Sequence, residues 1–338
     1  MNKMVKKITA VALSAVMVGG LFAGCSAAKT DEGTSGAADE QKTYKVGICQ
    51  LVQHPALDEA TKGFKDALVA EFGDNVVIDE QNAAGDSATC STICNGFVGD
   101  KVDLIMANAT PALQAATTAT TTIPILGTSV TEYGVALDIA DFKGTTGINV
   151  SGTSDLAPLA DQAKMVKELV PDAKTCGIIY CTAEANSVYQ AQVVSEELKK
   201  LGIEAKTYTV ADTNDVASVT QTACDETDVL YIPTDNTMAS STGIIDPIAT
   251  KAKKAIICGE EGIAKGCGVA TLSISYYSIG KKTGEMAIEI LKNGADPATM
   301  EIAYDSEPVN KFVKERCDNL GITVPDTYQE IDMTETEE

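Results

Sequence analysis

Along this chain, short apolar runs alternate with longer stretches in which apolar residues recur every three or four positions. The first pattern suits a buried strand, the second a helix with one apolar face. A strand is predicted over Tyr44–Leu51, then a helix over Asp58–Phe72 that stops at Gly73. Val76–Asp79, Asp103–Ala107 and Ile123–Leu126 read as strands, with helices over Ser87–Val98 and from Pro111. A second series opens with a helix over Asp161–Val170, ended by Pro171. Strands are predicted at Cys176–Cys181, Ala205–Val210, Val229–Pro233, Ala255–Cys258 and Val269–Ser273. Helices fall at Ser187–Leu201, Val216–Cys224 and Thr237–Lys253, the last with a break near Pro247. Tyr277–Leu291 and Asn310–Leu320 predict two final helices. Two successive β-α arrays of similar size predict an α/β fold of two doubly wound, parallel-sheet lobes. Such a pair places a ligand crevice at the carboxyl ends of the strands.

The first 25 residues follow another pattern. Lys3, Lys6 and Lys7 precede an apolar run from Ile8 to Phe22, short for a membrane span, and small residues lead into Cys25. Leu21-Phe22-Ala23-Gly24-Cys25 resembles the lipobox of bacterial lipoproteins, with Phe22 where leucine is usual. The resemblance implies a signal peptide over 1–24, cleavage before Cys25, and acylation of that thiol. The plainer reading is an ordinary cleaved signal with an incidental cysteine. Residues 25–42 are small, polar and poor in apolar side chains, the composition of a flexible tether. No second long apolar run follows, so the expected membrane contact is a lipid anchor alone.

Charge narrows the partners. The net charge of −22 argues against nucleic acid and against a surface that hugs anionic lipid. Nine cysteines lie beyond Cys25, an odd number that cannot all pair within one chain. Several sit inside apolar runs, such as Cys49 and Cys258, where a free thiol acts as a small hydrophobe. Cys90 and Cys94 stand four apart on a helix, a spacing open to metal, but the one histidine is distant in sequence, and no metal or cofactor is expected. Mostly reduced thiols are expected.

Residues just after strands carry the candidate chemistry. His54 and Pro55 follow the first strand, either as a surface loop with no role or as a wall against a planar ligand. Thr110 is placed as an N-cap with Pro111 behind it, and Thr128 and Ser129 follow the fourth strand. They serve as caps and turns, or as a cradle in which hydroxyls and free amides hold a carboxylate. Asn186 and Ser187 open a helix in the second series, and Asp235 and Asn236 open another. Asp235 caps its helix or accepts hydrogen bonds from a ligand ammonium. A carboxylate held in one lobe and an ammonium in the other would suit a free α-amino acid.

The segments 53–58 (QHPALD), 109–112 (ATPA), 184–190 (EANSVYQ), 233–237 (PTDNT) and 274–284 (ISYYSIGKKTG) resemble the TrpX-type substrate-binding proteins of ABC transporters. The resemblance spans Tyr44 to Pro325. It implies a type I periplasmic-binding-protein fold, a hinge of three crossings near Ser151, Tyr276 and Glu307, and an aromatic amino acid, tryptophan or phenylalanine, as ligand. The helix from Tyr277 would return to lobe one, and that from Asn310 to lobe two. Lobe one would then comprise 43–151 and 276–306, lobe two 152–275 and 307–332, before an acidic tail at 333–338. The expectation is an extracytoplasmic, lipid-anchored monomer that passes a small ligand held by His54, Pro55, Tyr133 and the loop residues above to an ABC permease. A nucleoside, sugar or other polar solute is the alternative ligand, and sensing the alternative to uptake. The absence of Trp counts against a sugar. No nucleophile–base pairing, P-loop or zinc-spaced cluster points to an enzyme, and the export signal and acidity argue against a transcriptional regulator.

Overall fold

In the computed structural model, residues 42–304 and 308–334 are described; the expected signal peptide, Cys25, almost all of the tether and the crossing near Glu307 lie outside them. The chain runs β1 (Tyr44–Gln50), α1 (Pro55–Phe72), β2 (Val76–Asn82), α2 (Ser87–Asp100), β3 (Leu104–Asn108), α3 (Thr110–Ala119), β4 (Ile125–Thr128), α4 (Tyr133–Ala136) and β5 (Val150–Ser154). It continues through α5 (Leu159–Leu169), β6 (Thr175–Cys181), α6 (Ala185–Lys200), β7 (Glu204–Val210), α7 (Val216–Glu226), β8 (Val229–Ile232), α8 (Asn236–Ala239) and α9 (Thr242–Ala252). Then come β9 (Ile256–Cys258), α10 (Glu261–Cys267), β10 (Ala270–Ser273), α11 (Tyr276–Asn293), β11 (Ala303–Tyr304), β12 (Val309–Phe312), α12 (Lys314–Leu320) and β13 (Gln329–Glu330).

One sheet has the order β11-β5-β4-β3-β1-β2, the other β13-β12-β10-β9-β8-β6-β7. Pairing is parallel except between β10 and β12. Each sheet repeats one doubly wound order, so its direction of winding reverses between β1 and β3, and again between β6 and β8. These are the two places where loops splay apart and leave room for a ligand. Apolar layers cover both faces of each sheet.

Four local expectations change. The segment Val150–Ser154 is a strand, although Ser-Gly-Thr-Ser reads as loop, so the first crossing follows Ser154 and not Ser151. Gly152 permits this: its φ is +144°, and a Cβ there would stand 2.0 Å from the Gly127 carbonyl oxygen. Pro247 lies inside α9, and the helical stretch breaks earlier, at Ser240–Ser241. Residues 309–312 form a strand antiparallel to β10, so the final helix begins only at Lys314. The short helix α10 was not expected; Glu260 makes it by accepting from the Gly262 and Ile263 amides at its start. The helix α11 packs along α1, beside the first sheet. A Cβ on Gly280 would lie 1.9 Å from the Ala60 carbonyl oxygen, so the two helices meet nearly backbone to backbone.

All nine described cysteines are free and buried. Cys49 packs with Cys90 and Cys94 in one apolar layer, and Cys258 with Cys267 in another. Burial raises the Cys176 and Cys258 thiols far above the usual range, which keeps them protonated and inert.

Candidate ligand-binding site

A polar network fixes the loop after β1. Gln50 donates to the Val52 carbonyl and to Asp58, and accepts from Thr61 at 2.6 Å. Asn108, at the end of β3, donates to the Leu57 carbonyl and to Thr61. Both strand ends at the first reversal point are thereby tied to the first two turns of α1, and His54 stands as its N-cap residue. The next two loops are strained. Ala109 has φ +90° and Ser129 φ +53°, a region non-glycine residues seldom occupy and one that concentrates at ligand sites. Ala109, not Thr110, is the residue before α3, and Thr110 and Pro111 are its first two residues.

Between the sheets lies a narrow cavity of about 10 Å³, room for about one water. His54, Leu57, Ser129, Thr131, Asp155 and Tyr276 line it from the first sheet's side and the crossings. Asn186, Thr234, Asp235, Asn236, Ala239 and Glu260 line it from the second. A wider cleft of about 250 Å³ opens beside it, flanked by Leu51, Val52 and Pro111 on one side and by Ala183, Glu184 and Thr237 on the other. Asn236 faces both.

Among the described residues, three carboxyls face the cavity and no lysine or arginine does. Two of the three are already bonded by backbone amides. Asp235 accepts from Cys181 N at 2.7 Å and Met238 N at 2.9 Å, and Glu260 accepts from Gly262 N at 2.6 Å and Ile263 N at 2.5 Å. Burial lifts the Asp235 carboxyl to about 8, with the Glu184 charge adding to it, and lifts Glu260 to about 7. Asp155 differs. Its Oδ2 accepts from the Tyr276 hydroxyl at 2.9 Å, while Oδ1 is buried with no hydrogen-bond partner. Burial raises this carboxyl too, with Thr131 and Tyr276 opposing.

The sequence-derived candidates divide. His54, Ser129, Asn186, Asp235 and Asn236 line the cavity. Thr128 and Tyr133 do not: the Thr128 hydroxyl meets Thr153 at 3.1 Å and the Tyr133 hydroxyl donates to the Thr153 carbonyl, so both bind the core of the first sheet together. The cause is the two-residue alternation of a strand, which turns Thr128 inward just before Ser129 swings out. Ser187 is wholly buried outside the cavity lining, and its hydroxyl oxygen accepts from Asn186 Nδ2 at 3.3 Å. Pro55 begins α1 outside the cavity lining, as does Thr110, whose Oγ1 is buried and unpartnered. Asp155, Thr131, Glu260 and Tyr276 were missed. Asp155 follows β5 as His54 follows β1, and the same rule reaches it once 150–154 is read as a strand.

The orphaned polar atoms describe the ligand in negative. His54 Nδ1, Asp155 Oδ1 and Asn186 Oδ1 lack partners, as does Ser129 Oγ. Burying such groups unbonded costs about 1–3 kcal/mol each, so the arrangement is that of a site awaiting donors and an acceptor. Among the described residues, no group of three or more His, Cys, Asp and Glu side chains is arranged to hold a metal ion.

The two sides touch at His54 Nε2 and Asn236 Oδ1, 3.1 Å apart. Residues 45–331 match the family model of the ABC transporter substrate binding protein. A tyrosine-binding protein of Clostridioides difficile is 38% identical over 295 residues, covering 85% of this chain and 84% of that one. The crystal structure of a Streptococcus pneumonia ABC domain in complex with L-Trp is 31% identical and superposes with a TM-score of 0.82, covering 86% of this chain and all of that one. The ligand-free, open structure of a substrate-binding protein with adhesive properties from Clostridium difficile is more alike in sequence, at 37% with the same coverage, yet its TM-score is 0.66. The greater likeness to the ligand-bound structure accords with the closed contact between His54 and Asn236.

Proposed function

This chain belongs to the family of ABC transporter substrate-binding proteins, and from that premise we propose that it captures one free amino acid with an aromatic side chain between its lobes and hands it to a permease. The single observation that carries the reading is Asp155 Oδ1: a buried carboxylate oxygen with no partner, in a cavity whose lining, among the described residues, holds no lysine or arginine. A ligand cation would supply that partner and hold ionised a carboxyl that burial alone raises. An α-ammonium supplies it. Ser129 Oγ is the hydroxyl at hand for the ligand carboxylate, with Thr110 Oγ1 at the neighbouring loop. The cleft of about 250 Å³ beside the cavity approaches the ~300 Å³ at which small-molecule pockets begin, the scale of one amino acid. Relatives named for tyrosine and seen with L-Trp support an aromatic side chain.

The fold is that of type I periplasmic-binding proteins, in which contacts from both lobes favour the closed state over the open one. The proposal places lobe one at 43–154 with 276–304, and lobe two from Leu156 to Ser275 and from Pro308 on. It keeps the lipid anchor at Cys25, an extracytoplasmic location, a monomer, and binding without catalysis. A thermal-shift panel of amino acids, nucleosides and sugars tests the ligand class, since a ligand that favours the folded state raises its melting temperature. Calorimetry should then find the best amino acid bound at least ~100-fold more weakly by Asp155→Asn, which keeps the shape and removes the charge. A sugar or nucleoside raising the melting temperature while no amino acid does would overturn the reading.

A further inference from the structure

The contact that joins the two lobes has a direction. Glu184 accepts four hydrogen bonds: from Asn236 N and Nδ2, and from Thr237 N and Oγ1. The Asn236 amide nitrogen therefore faces Glu184, at 2.6 Å, and its oxygen faces away. That oxygen stands 3.1 Å from His54 Nε2. An amide oxygen only accepts, so Nε2 must carry the proton. In a neutral imidazole the other nitrogen is then a bare acceptor, and His54 Nδ1 is buried with no partner, on a ring that lines the cavity.

We propose that Glu184, acting through Asn236, locks His54 into the Nε2-protonated tautomer whenever the lobes close, so that Nδ1 reads a hydrogen-bond donor on the ligand. This rests on the amino-acid reading above. Glu184 and Asn236 are positioning residues; His54 makes the specificity contact. The relay couples closure to selection. Asn236 belongs to one lobe and His54 to the other, so the acceptor is set only when the two meet. A ligand without a donor at that point leaves Nδ1 buried and unbonded, and the closed state loses what closure should gain. The donor is an ammonium N–H or a phenolic O–H, and both present the same chemistry to a bare imidazole nitrogen.

His54 is the only histidine in the chain, so the test needs one pair of resonances. Protein labelled with ¹⁵N-histidine is recorded by long-range ¹H–¹⁵N correlation, free and saturated with L-tyrosine, L-tryptophan or L-phenylalanine. The expected bound spectrum has a protonated Nε2 and a bare Nδ1 whose resonance moves upfield as it accepts. Persistence of that movement with L-phenylalanine assigns the donor to the ammonium; its loss, to the phenol. Glu184→Gln removes an acceptor-only partner, so the Asn236 amide can turn over; both tautomers should appear, with affinity about tenfold weaker. Bound wild-type protein with a protonated Nδ1, or an imidazolium, overturns the proposal even if Glu184→Gln fails to fold. Calorimetry on the same wild-type samples separates the two readings: no binding of any amino acid removes both, whereas binding with the wrong tautomer removes only this one.

Discussion

Tyr276 donates its hydroxyl to Asp155 Oδ2 at 2.9 Å, joining two residues 121 positions apart. Asp155 follows the last residue of β5, and Tyr276 opens α11. Each therefore sits where the chain passes between the two sheets, and their bond holds the two crossings together while leaving Oδ1 for the cavity. Tyr276→Phe should lower the stability of the free protein by about 1–3 kcal/mol, because a buried carboxyl oxygen loses its hydroxyl donor. Chemical denaturation measures this. The ligand should restore part of the loss, and an unchanged midpoint would mean that the pair is not a structural tie.

Asp235 and Asp155 should behave differently on substitution. Asp235 spends both oxygens on the amides of Cys181 and Met238. Asp235→Asn should cost stability by about 1 kcal/mol, the scale of a lost helix cap, with a modest effect on affinity. Asp155→Asn should do the reverse. Parallel calorimetry and thermal denaturation of the two variants would show the crossover; a stronger affinity loss at Asp235 would reassign the ammonium partner.

The contribution of His54 to binding should weaken in acid. Burial in the closed protein lowers the His54 pKa from its ordinary 6.5, although the Asn236 bond and the charges of Glu184 and Asp58 pull it upward. The carboxyls Asp155, Asp235 and Glu260 face the same cavity, and burial raises all three, so they pull the opposite way and the His54 share is the difference between wild type and His54→Gln. An opened His54 regains its ordinary value, so the closed state is fully favoured above that pH. It loses ground below it, as protons bind the open form. Affinity should fall by up to about tenfold per pH unit below the open-state pKa, and His54→Gln should flatten that slope. Calorimetry across the range from about pH 8 to about pH 5.5 reads it; a slope equal in both proteins would place the effect elsewhere.

Gly280→Ala should push α11 off α1, since the added carbon would stand 1.9 Å from the Ala60 carbonyl oxygen. The cost should reach about 3 kcal/mol, the upper end for overpacking. Gly294→Ala, at a helix end with open space around it, provides a comparison in which only backbone strain acts. Thermal melts that rank the two in the opposite order would refute the close packing.

The nine cysteines should resist a thiol reagent in the native protein and react together on unfolding, because all are buried and unpaired. Mass spectrometry after alkylation counts them. Fast labelling of Cys49, Cys90 or Cys94 in native conditions would show that their layer opens.

Much was legible from periodicity. Leu104–Asn108 and Ile256–Cys258 are wholly buried runs, and such runs announce parallel strands by composition alone. The loops after β1, β6 and β8 were legible for the same reason, since a strand's end fixes where its next residues stand. Val150–Ser154 was not, because a strand made of small polar residues is held by the glycine contact with Gly127 and not by propensity.

Taken alone, the order of residues determined the alternation of strands and helices, the repeat of one winding in two arrays, and which loops reach the crevice. These depend on local spacing. Only the tertiary structure decided which side chains in those loops remain unbonded. Thr128 found Thr153, Asp235 found Cys181, and Asp155 kept one oxygen free. Hydrogen-bond satisfaction is settled between groups far apart along the chain, as His54 and Asn236 are at 182 positions, and no local pattern carries it.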